Sequence, residues 1–336
     1  MRVLIYSYNI CMQNQEGGVA VSIRKLYNSL KSMNIEVDYF SFSETKIENY
    51  DIVHIYKITV DSLQIIEYAK RHNVKVVVSS VIARNEALKV KVNCFICKLL
   101  PITTGIVMIK RGLTLSDIIV TETQKEKEYI TKNYGIPSKK IVVVSNSIDL
   151  DCNIKNADEI YNYLHFKKYI LCVGRFDKNK NQFNLIKAVN SLNYPLVLIG
   201  EGVSKNDEYF KKCKEEAKDN VIFLGWVPHN SSLLKSAYFN AHVVVCPSYD
   251  ETFGLSIIEG CIFNSNVSFS KTIKFDDNYI MKNAVLFNPK SVTSIKKALK
   301  EVFEDKIVSF DKNLKEYYSL DTYLKRIIDV YKKVLN

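Results

Sequence analysis

No uninterrupted apolar run in the 336-residue sequence reaches the ~18 residues that a membrane-spanning helix needs. The nearest approach, Cys94 to Ile109, is broken by Lys98 and Pro101. No secretory signal is visible: the apolar run after Arg2, Val3-Leu4-Ile5, is too short and is expected to be a strand. Metal-ligand spacing is missing as well. Cys94 and Cys97 form a lone C-x-x-C with no second pair or suitably spaced histidine. The eight cysteines are expected to be free thiols of a reducing cytoplasm, several of them inside apolar runs. No internal repeat or low-complexity tract stands out.

What is present fits a globular α/β protein. The length suffices for two domains with separate cores. Lys and Arg number 47 against 36 Asp and Glu, a formal net charge of +11. That charge suits a polyanionic partner or an anionic membrane surface without choosing between them. No nucleic-acid-binding motif accompanies it, so nucleic acid is not an expected partner.

Apolar periodicity supplies the elements. Val3–Tyr6, Ile35–Phe40, Asp51–Tyr56 and Lys75–Val78 read as strands, with helices through Val19–Leu30 and Leu63–Ala69. Leu115–Val120 reads as the next strand start, a charged helix runs to Lys132, and the polar residues 151–163 read as a linker. Tyr169–Val173, Leu196–Ile199 and Val221–Leu224 are further strands, with helices through Leu185–Val189 and over 205–218. The segment Tyr317–Tyr331 is amphipathic. Such alternation predicts doubly wound parallel sheets, whose ligands bind beyond the carboxyl ends of the strands.

Two stretches of the first half allow two readings each. Gly17-Gly18, between a strand and a helix start, is either a tight turn or a loop lying close to a phosphate or sugar; it is no dinucleotide fingerprint. Residues 84–111 carry six bases (Arg84, Lys89, Lys91, Lys98, Lys110, Arg111) against one acid, Glu86, interleaved with Val90, Val92, Phe95, Ile96 and other apolar residues. The segment is either a membrane-surface element or a helix packed on the sheet with a solvated basic face.

The chemistry concentrates in the second half. Val243–Val245 is a short apolar run stopped by Pro247, and Leu255, Ile258 and Ile262 recur at helical spacing. Glu251 and Glu259 frame the turn between them, with Gly254 allowing close backbone approach. A helix N-terminus beside a strand end favours an anion, and an ionised carboxylate accepts from sugar hydroxyls. Upstream, Gly174-Arg175 with Lys180 also lies between a strand and a helix, where fixed cations can neutralise phosphate. Taken singly, each stretch also reads as a turn with solvated charges.

Together the two stretches resemble a known family. Pro247-Ser248 followed by Glu251-Thr-Phe-Gly-Leu-Ser-Ile-Ile-Glu259 is similar to the glutamate–seven residues–glutamate motif of retaining, family-4 glycosyltransferases (glycosyl transferases group 1). The resemblance implies a GT-B fold: two Rossmann-like doubly wound parallel-sheet domains facing a cleft. The expected boundaries are 1–150 on the acceptor side, 165–320 on the nucleotide-sugar side, and a helix over 321–336 crossing back to the first domain. It implies that Arg175 and Lys180 neutralise the diphosphate and that Glu251 accepts from the donor sugar. Backbone N–H groups of Phe253, Gly254 and Leu255 would touch sugar or phosphate, Glu259 would bind the ribose, and the base would lie near Gly225–Pro228. Gly17 and Gly18 resemble the family's N-terminal glycine loop. No metal or other cofactor is implied, since cationic side chains take the metal's place; Asp149-Leu-Asp151 spells a metal motif by coincidence. The expected substrates are a nucleotide sugar, UDP-linked by preference, and a glycan or lipid-linked acceptor. The expected location is the cytoplasm, peripheral at the inner face of the membrane.

Two departures stand out. The family often places a histidine just past the strand that reads Lys75–Val81 here, where this chain has Ser79 and Ser80; His72 and His54 lie elsewhere. Serine is a poor base near neutral pH. Gly260–Asn266 replaces the family's usual small residues and Gly-Thr-Pro. His165, His229 and His242 have no neighbours in sequence that suggest a cluster. A non-catalytic GT-B subunit that binds nucleotide sugar or supports a partner transferase is the alternative that the missing histidine allows.

Overall fold

Successive side chains of a strand point to opposite faces, so strands that are apolar throughout need cover on both sides. The protein meets that need twice. Its structure, a computed structural model, describes residues 1–11, 18–82, 87–99, 104–148, 154, 156–202, 204, 207–229, 231–273, 275, 277–304 and 313–336. The chain divides into two units, one of Met1–Ser147 with Leu320–Asn336, the other of Ile148–Ser319.

In the first unit β1 (Arg2–Tyr6), β2 (Glu36–Tyr39), β3 (Ile52–Tyr56), β4 (Lys75–Ser79), β5 (Ile118–Thr121) and β6 (Ile141–Val143) form a parallel sheet in the order β2-β1-β3-β4-β5-β6. Val3 and Ile5 face a core with Ile23, Leu26 and Leu30 of the helix Gly18–Ser32. The helix Leu320–Leu335 adds Leu324, Ile327 and Tyr331 to that core. Leu4 and Tyr6 face the other way, against Ile66, Leu113 and Ile130.

In the second unit β7 (Ile170–Val173), β8 (Leu196–Ile199), β9 (Val221–Gly225), β10 (Val243–Cys246), β11 (Asn266–Ser270) and β12 (Val285–Phe287) are again all parallel, in the order β12-β11-β10-β7-β8-β9. The chain winds outward from β7 through β8 to β9, then returns to β7's other side with β10. The switch point of this sheet is therefore the gap beyond β7 and β10, where a doubly wound sheet takes its ligand.

Two expectations need correction. Leu115 ends the helix Gly105–Leu115, which Ser116 closes with a 2.6 Å hydrogen bond from its hydroxyl to the Gly112 carbonyl, and the strand starts only at Ile118. Part of the expected linker is docked: Glu159–Asn162 form a 3-10 turn, Ile160 is buried, and its N–H donates to Ser236 Oγ at 3.0 Å. Residues 84–111 contribute two helices, Ala87–Leu99 and Gly105–Leu115, while Arg84 lies outside the described residues. Among the described residues no helix is long and apolar enough to cross a membrane.

Candidate active site

Two loops meet at the switch point of the second sheet. The first leaves β7 through Gly174 (φ +154°) and runs to Asn181, whose φ of +60° turns the chain into the helix Gln182–Asn190. The second leaves β10 through Pro247 and ends at Gly254 (φ +71°), which turns it into the helix Leu255–Ile262. Side chains of the first loop tie it to the second. Asn181 Nδ2 donates to the Pro247 carbonyl at 3.1 Å, Asn179 Nδ2 to the Asp250 carbonyl at 2.8 Å, and the Tyr249 N–H to the Asn179 carbonyl at 2.7 Å. Behind them Gly200 follows β8, and a Cβ there would fall 2.2 Å from the Gly174 carbonyl oxygen, so only glycine fits.

This frame brings Lys180 and Glu251 together. The ammonium donates to Glu251 Oε2 at 2.6 Å, with both side chains partly buried. Burial pushes the Lys180 pKa down, but the adjacent Glu251 carboxylate outweighs it and the net shift is upward, so the lysine is a fixed cation. Its backbone N–H donates to Asp177 Oδ1 at 2.9 Å. Arg175, in the same loop, is largely exposed and pairs with Asp177 at 3.3 Å. Two cations and the N-terminus of the helix at Leu255 thus border the switch point.

Phe253 turns its ring into the core, edge-on to Phe275 and Tyr318, so its backbone alone is available to a ligand. Leu255 opens the helix. Glu259 is buried instead of solvated, and accepts a short hydrogen bond from the Tyr238 hydroxyl. The Tyr238 pKa is driven well above its ordinary value, by burial first and then by Glu259. The other Glu259 oxygen lies 3.5 Å from His229 Nε2. His229 is thus a site residue that sequence reasoning passed over: it stands 30 positions from Glu259 on a loop after β9, and only the fold joins them. On the same side of β9, Gly225 (φ +72°) leads to the exposed Trp226, whose N–H donates to Glu201 Oε1 at 3.4 Å.

The first unit holds the remaining expected residues. Gly18 is the first residue of its helix, and Gly17 lies outside the described residues. Ser79 ends β4, Ser80 follows it, and both line a small pocket with Ser22, Glu122, Asn146 and several valines. Both hydroxyls are engaged. Ser79 Oγ is 2.9 Å from Nε2 of the buried His54, whose Nδ1 is 2.7 Å from the Tyr331 hydroxyl, and Ser80 Oγ donates to Glu126 Oε1 at 2.8 Å. Burial pushes the His54 pKa down to about 3, so the imidazole is neutral at ordinary pH. Among the described residues no three His, Cys, Asp or Glu side chains gather as a metal site; Asp149 and Asp151 lie outside them.

Residues 154–319 match the family model described as glycosyl transferases group 1. That match takes in about half of the chain and holds both loops of the candidate site. The two parallel-sheet units are those of the GT-B fold: HepE of Anabaena, solved in complex with UDP, superposes with a TM-score of 0.75 at 13% identity, covering 99% of this chain and 100% of HepE. At that identity the likeness carries the fold alone. Among curated relatives, the O-antigen chain mannosyltransferase RfbU of Salmonella typhimurium is 29% identical over 220 residues, 62% of this chain and 58% of its own length. The processive diacylglycerol alpha-glucosyltransferase of Acholeplasma laidlawii is 25% identical over 272 residues, 77% of this chain and 76% of its own. The chain spans less than two thirds of the length of RfbU.

Proposed function

We propose that the protein transfers a hexose from a UDP-sugar to a growing, lipid-linked glycan, with retention at the anomeric carbon and without a metal ion. The observation that carries this reading is the Lys180–Glu251 pair at the switch point of the second sheet. In it Lys180, with Arg175, meets the diphosphate, whose charge grows as the glycosidic bond breaks. Glu251 accepts from hydroxyls of the transferring sugar, and the N–H groups at Phe253–Leu255 face sugar or phosphate. Glu259 takes the ribose hydroxyls, held in place by Tyr238 and flanked by His229. Leaving phosphate takes the acceptor's proton, so the Ser79 and Ser80 hydroxyls need not act as a base. UDP is favoured because HepE binds it on the same fold. A lipid-linked acceptor is favoured by the diacylglycerol substrate in the name of one relative. The helix Ala87–Leu99 is proposed to rest on an anionic membrane at the cytoplasmic face.

A second reading is favoured by one observation: both serines at the position of the family's histidine are already hydrogen-bonded inside the unit. On it the protein binds nucleotide sugar and transfers nothing. Calorimetry with UDP, then with UDP-hexoses, tests the donor site. Slow hydrolysis of the bound donor, or transfer to a lipid-linked acceptor, separates the readings; binding with neither leaves the second, and no binding of any nucleotide refutes both.

A further inference from the structure

The first unit contains a larger pocket, of about 270 Å³, lined by none of the residues assigned to the donor. Its wall is aliphatic: Ile58, Val81, Ile82, Val90, Ile106 and Ile109. Tyr129, Tyr134 and Ser80 also line it, and among the described lining residues the one that is charged is the exposed Lys57. A pocket of a few hundred Å³ with apolar walls and few polar groups is the usual form of a small-ligand site. A sugar or a nucleotide would leave hydroxyls against aliphatic carbon, which is unfavourable. A hydrocarbon chain would not.

The wall is built, not incidental. Val81 holds φ +45°, a conformation that a β-branched residue rarely adopts, and Lys57 holds φ +64°. Such backbone persists where neighbours over-determine it. They do so here: Glu126, fully buried, accepts from Ser80 Oγ at 2.8 Å, from the Ile82 N–H at 2.7 Å and from the Glu122 N–H at 3.0 Å. The Lys57 N–H donates to the Ser79 carbonyl at 2.9 Å.

The helix that supplies Val90 also indicates where an occupant would come from. Its outer face exposes Leu88, Val92, Phe95 and Ile96, one stripe at helical spacing, with Lys89 and Lys91 exposed beside it. Apolar residues flanked by ammonium groups match the boundary between lipid chains and anionic head groups. One side of this helix thus fits a lipid surface, and Val90 on the same helix lines the pocket.

We propose that the pocket binds the hydrocarbon chain of an anionic amphiphile, with the Lys57 ammonium on its phosphate head. The proposal rests on the transferase reading for its purpose, a place for the lipid of the acceptor, and on no part of the donor site for its test. Calorimetry with octyl phosphate, octanol and inorganic phosphate reads it. Wild type binds octyl phosphate at least tenfold more tightly than inorganic phosphate. Ile106→Trp and Ile109→Trp, which fill the pocket, lose octyl phosphate while keeping the wild-type melting profile. Lys57→Gln weakens octyl phosphate at least fivefold and leaves octanol unchanged. The idea is overturned if wild type fails to bind octyl phosphate, if inorganic phosphate binds equally well, or if either folded tryptophan variant binds like wild type. Loss of UDP binding alone would refute the donor reading and leave this one standing.

Discussion

The Nζ of Lys180 lies 2.6 Å from Oε2 of Glu251, so a cation proposed for the diphosphate and a carboxylate proposed for the sugar neutralise each other in the free protein. On the proposed assignment Glu251 faces the part of the donor that changes in the transition state, and Glu259, held by Tyr238, a part that does not. An interaction that strengthens in the transition state raises kcat, and one present throughout lowers KM. Glu251→Gln is expected to lower kcat by roughly tenfold or more, the equivalent of about 1.4 kcal/mol, with UDP affinity close to wild type. Glu259→Gln is expected to raise the donor KM. Steady-state kinetics with the donor and calorimetry with UDP decide it; a change in donor KM alone for both variants contradicts the assignment.

His54 makes the first unit sensitive to acid. Its pKa falls from the ordinary 6.5 to about 3 on folding, because burial disfavours the charged ring. Between those values the unfolded chain binds a proton that the folded chain does not, so stability drops as pH falls through this window. From pH 7 to pH 5 the contribution is about 2 kcal/mol. His54→Asn should be less stable than wild type at pH 7 yet lose less on going to pH 5. Urea unfolding at both pH values measures this, and equal losses would clear His54 of the effect.

Gly200 should tolerate no side chain. Gly200→Ala sets a Cβ against the Gly174 carbonyl and is expected to destabilise the second unit by about 3 kcal/mol or more. Gly105→Ala, where a Cβ meets nothing within 4 Å, is the control, expected to be neutral or to stabilise by up to about 1 kcal/mol. Thermal unfolding of the pair separates close backbone approach from a general effect of adding a methyl group.

The helix Ala87–Leu99 should bring the protein to anionic vesicles. Co-sedimentation with phosphatidylserine vesicles is expected for wild type, weaker at high salt as screening grows. Lys89→Gln with Lys91→Gln should reduce it severalfold, and Phe95→Ser should reduce it with less dependence on salt. Equal sedimentation of all variants would remove this helix from the contact.

The parallel sheets were legible because their strands are continuous apolar runs: Val76–Val78 and Val243–Val245 admit few other readings. β11 was not. Its Asn266, Ser268 and Ser270 look like an exposed edge, yet all are buried, because Asn266 Nδ2 donates to the Val302 carbonyl and Ser268 Oγ to the Val285 carbonyl. Partners 36 and 17 positions away carry no local signal. The same limit hid His229 beside Glu259 and His54 beside Ser79. Spacing shows which residues share an element, and the meeting of Lys180 with Glu251 followed from two elements whose ends resemble a family motif. Contacts that rest on strand order alone left no trace in spacing.

The hydrogen bond between His54 and Tyr331 joins residues of the first unit that lie 277 positions apart, with the whole of the second unit between them in sequence. Translation therefore delivers the two units out of order. Residues 148–319 are complete while the first sheet still lacks the helix Leu320–Leu335, and until that helix is made, the face carrying Val3, Ile5 and Val77 remains partly uncovered. A nascent chain of this protein would present its first-made strands to chaperones longest and finish them last.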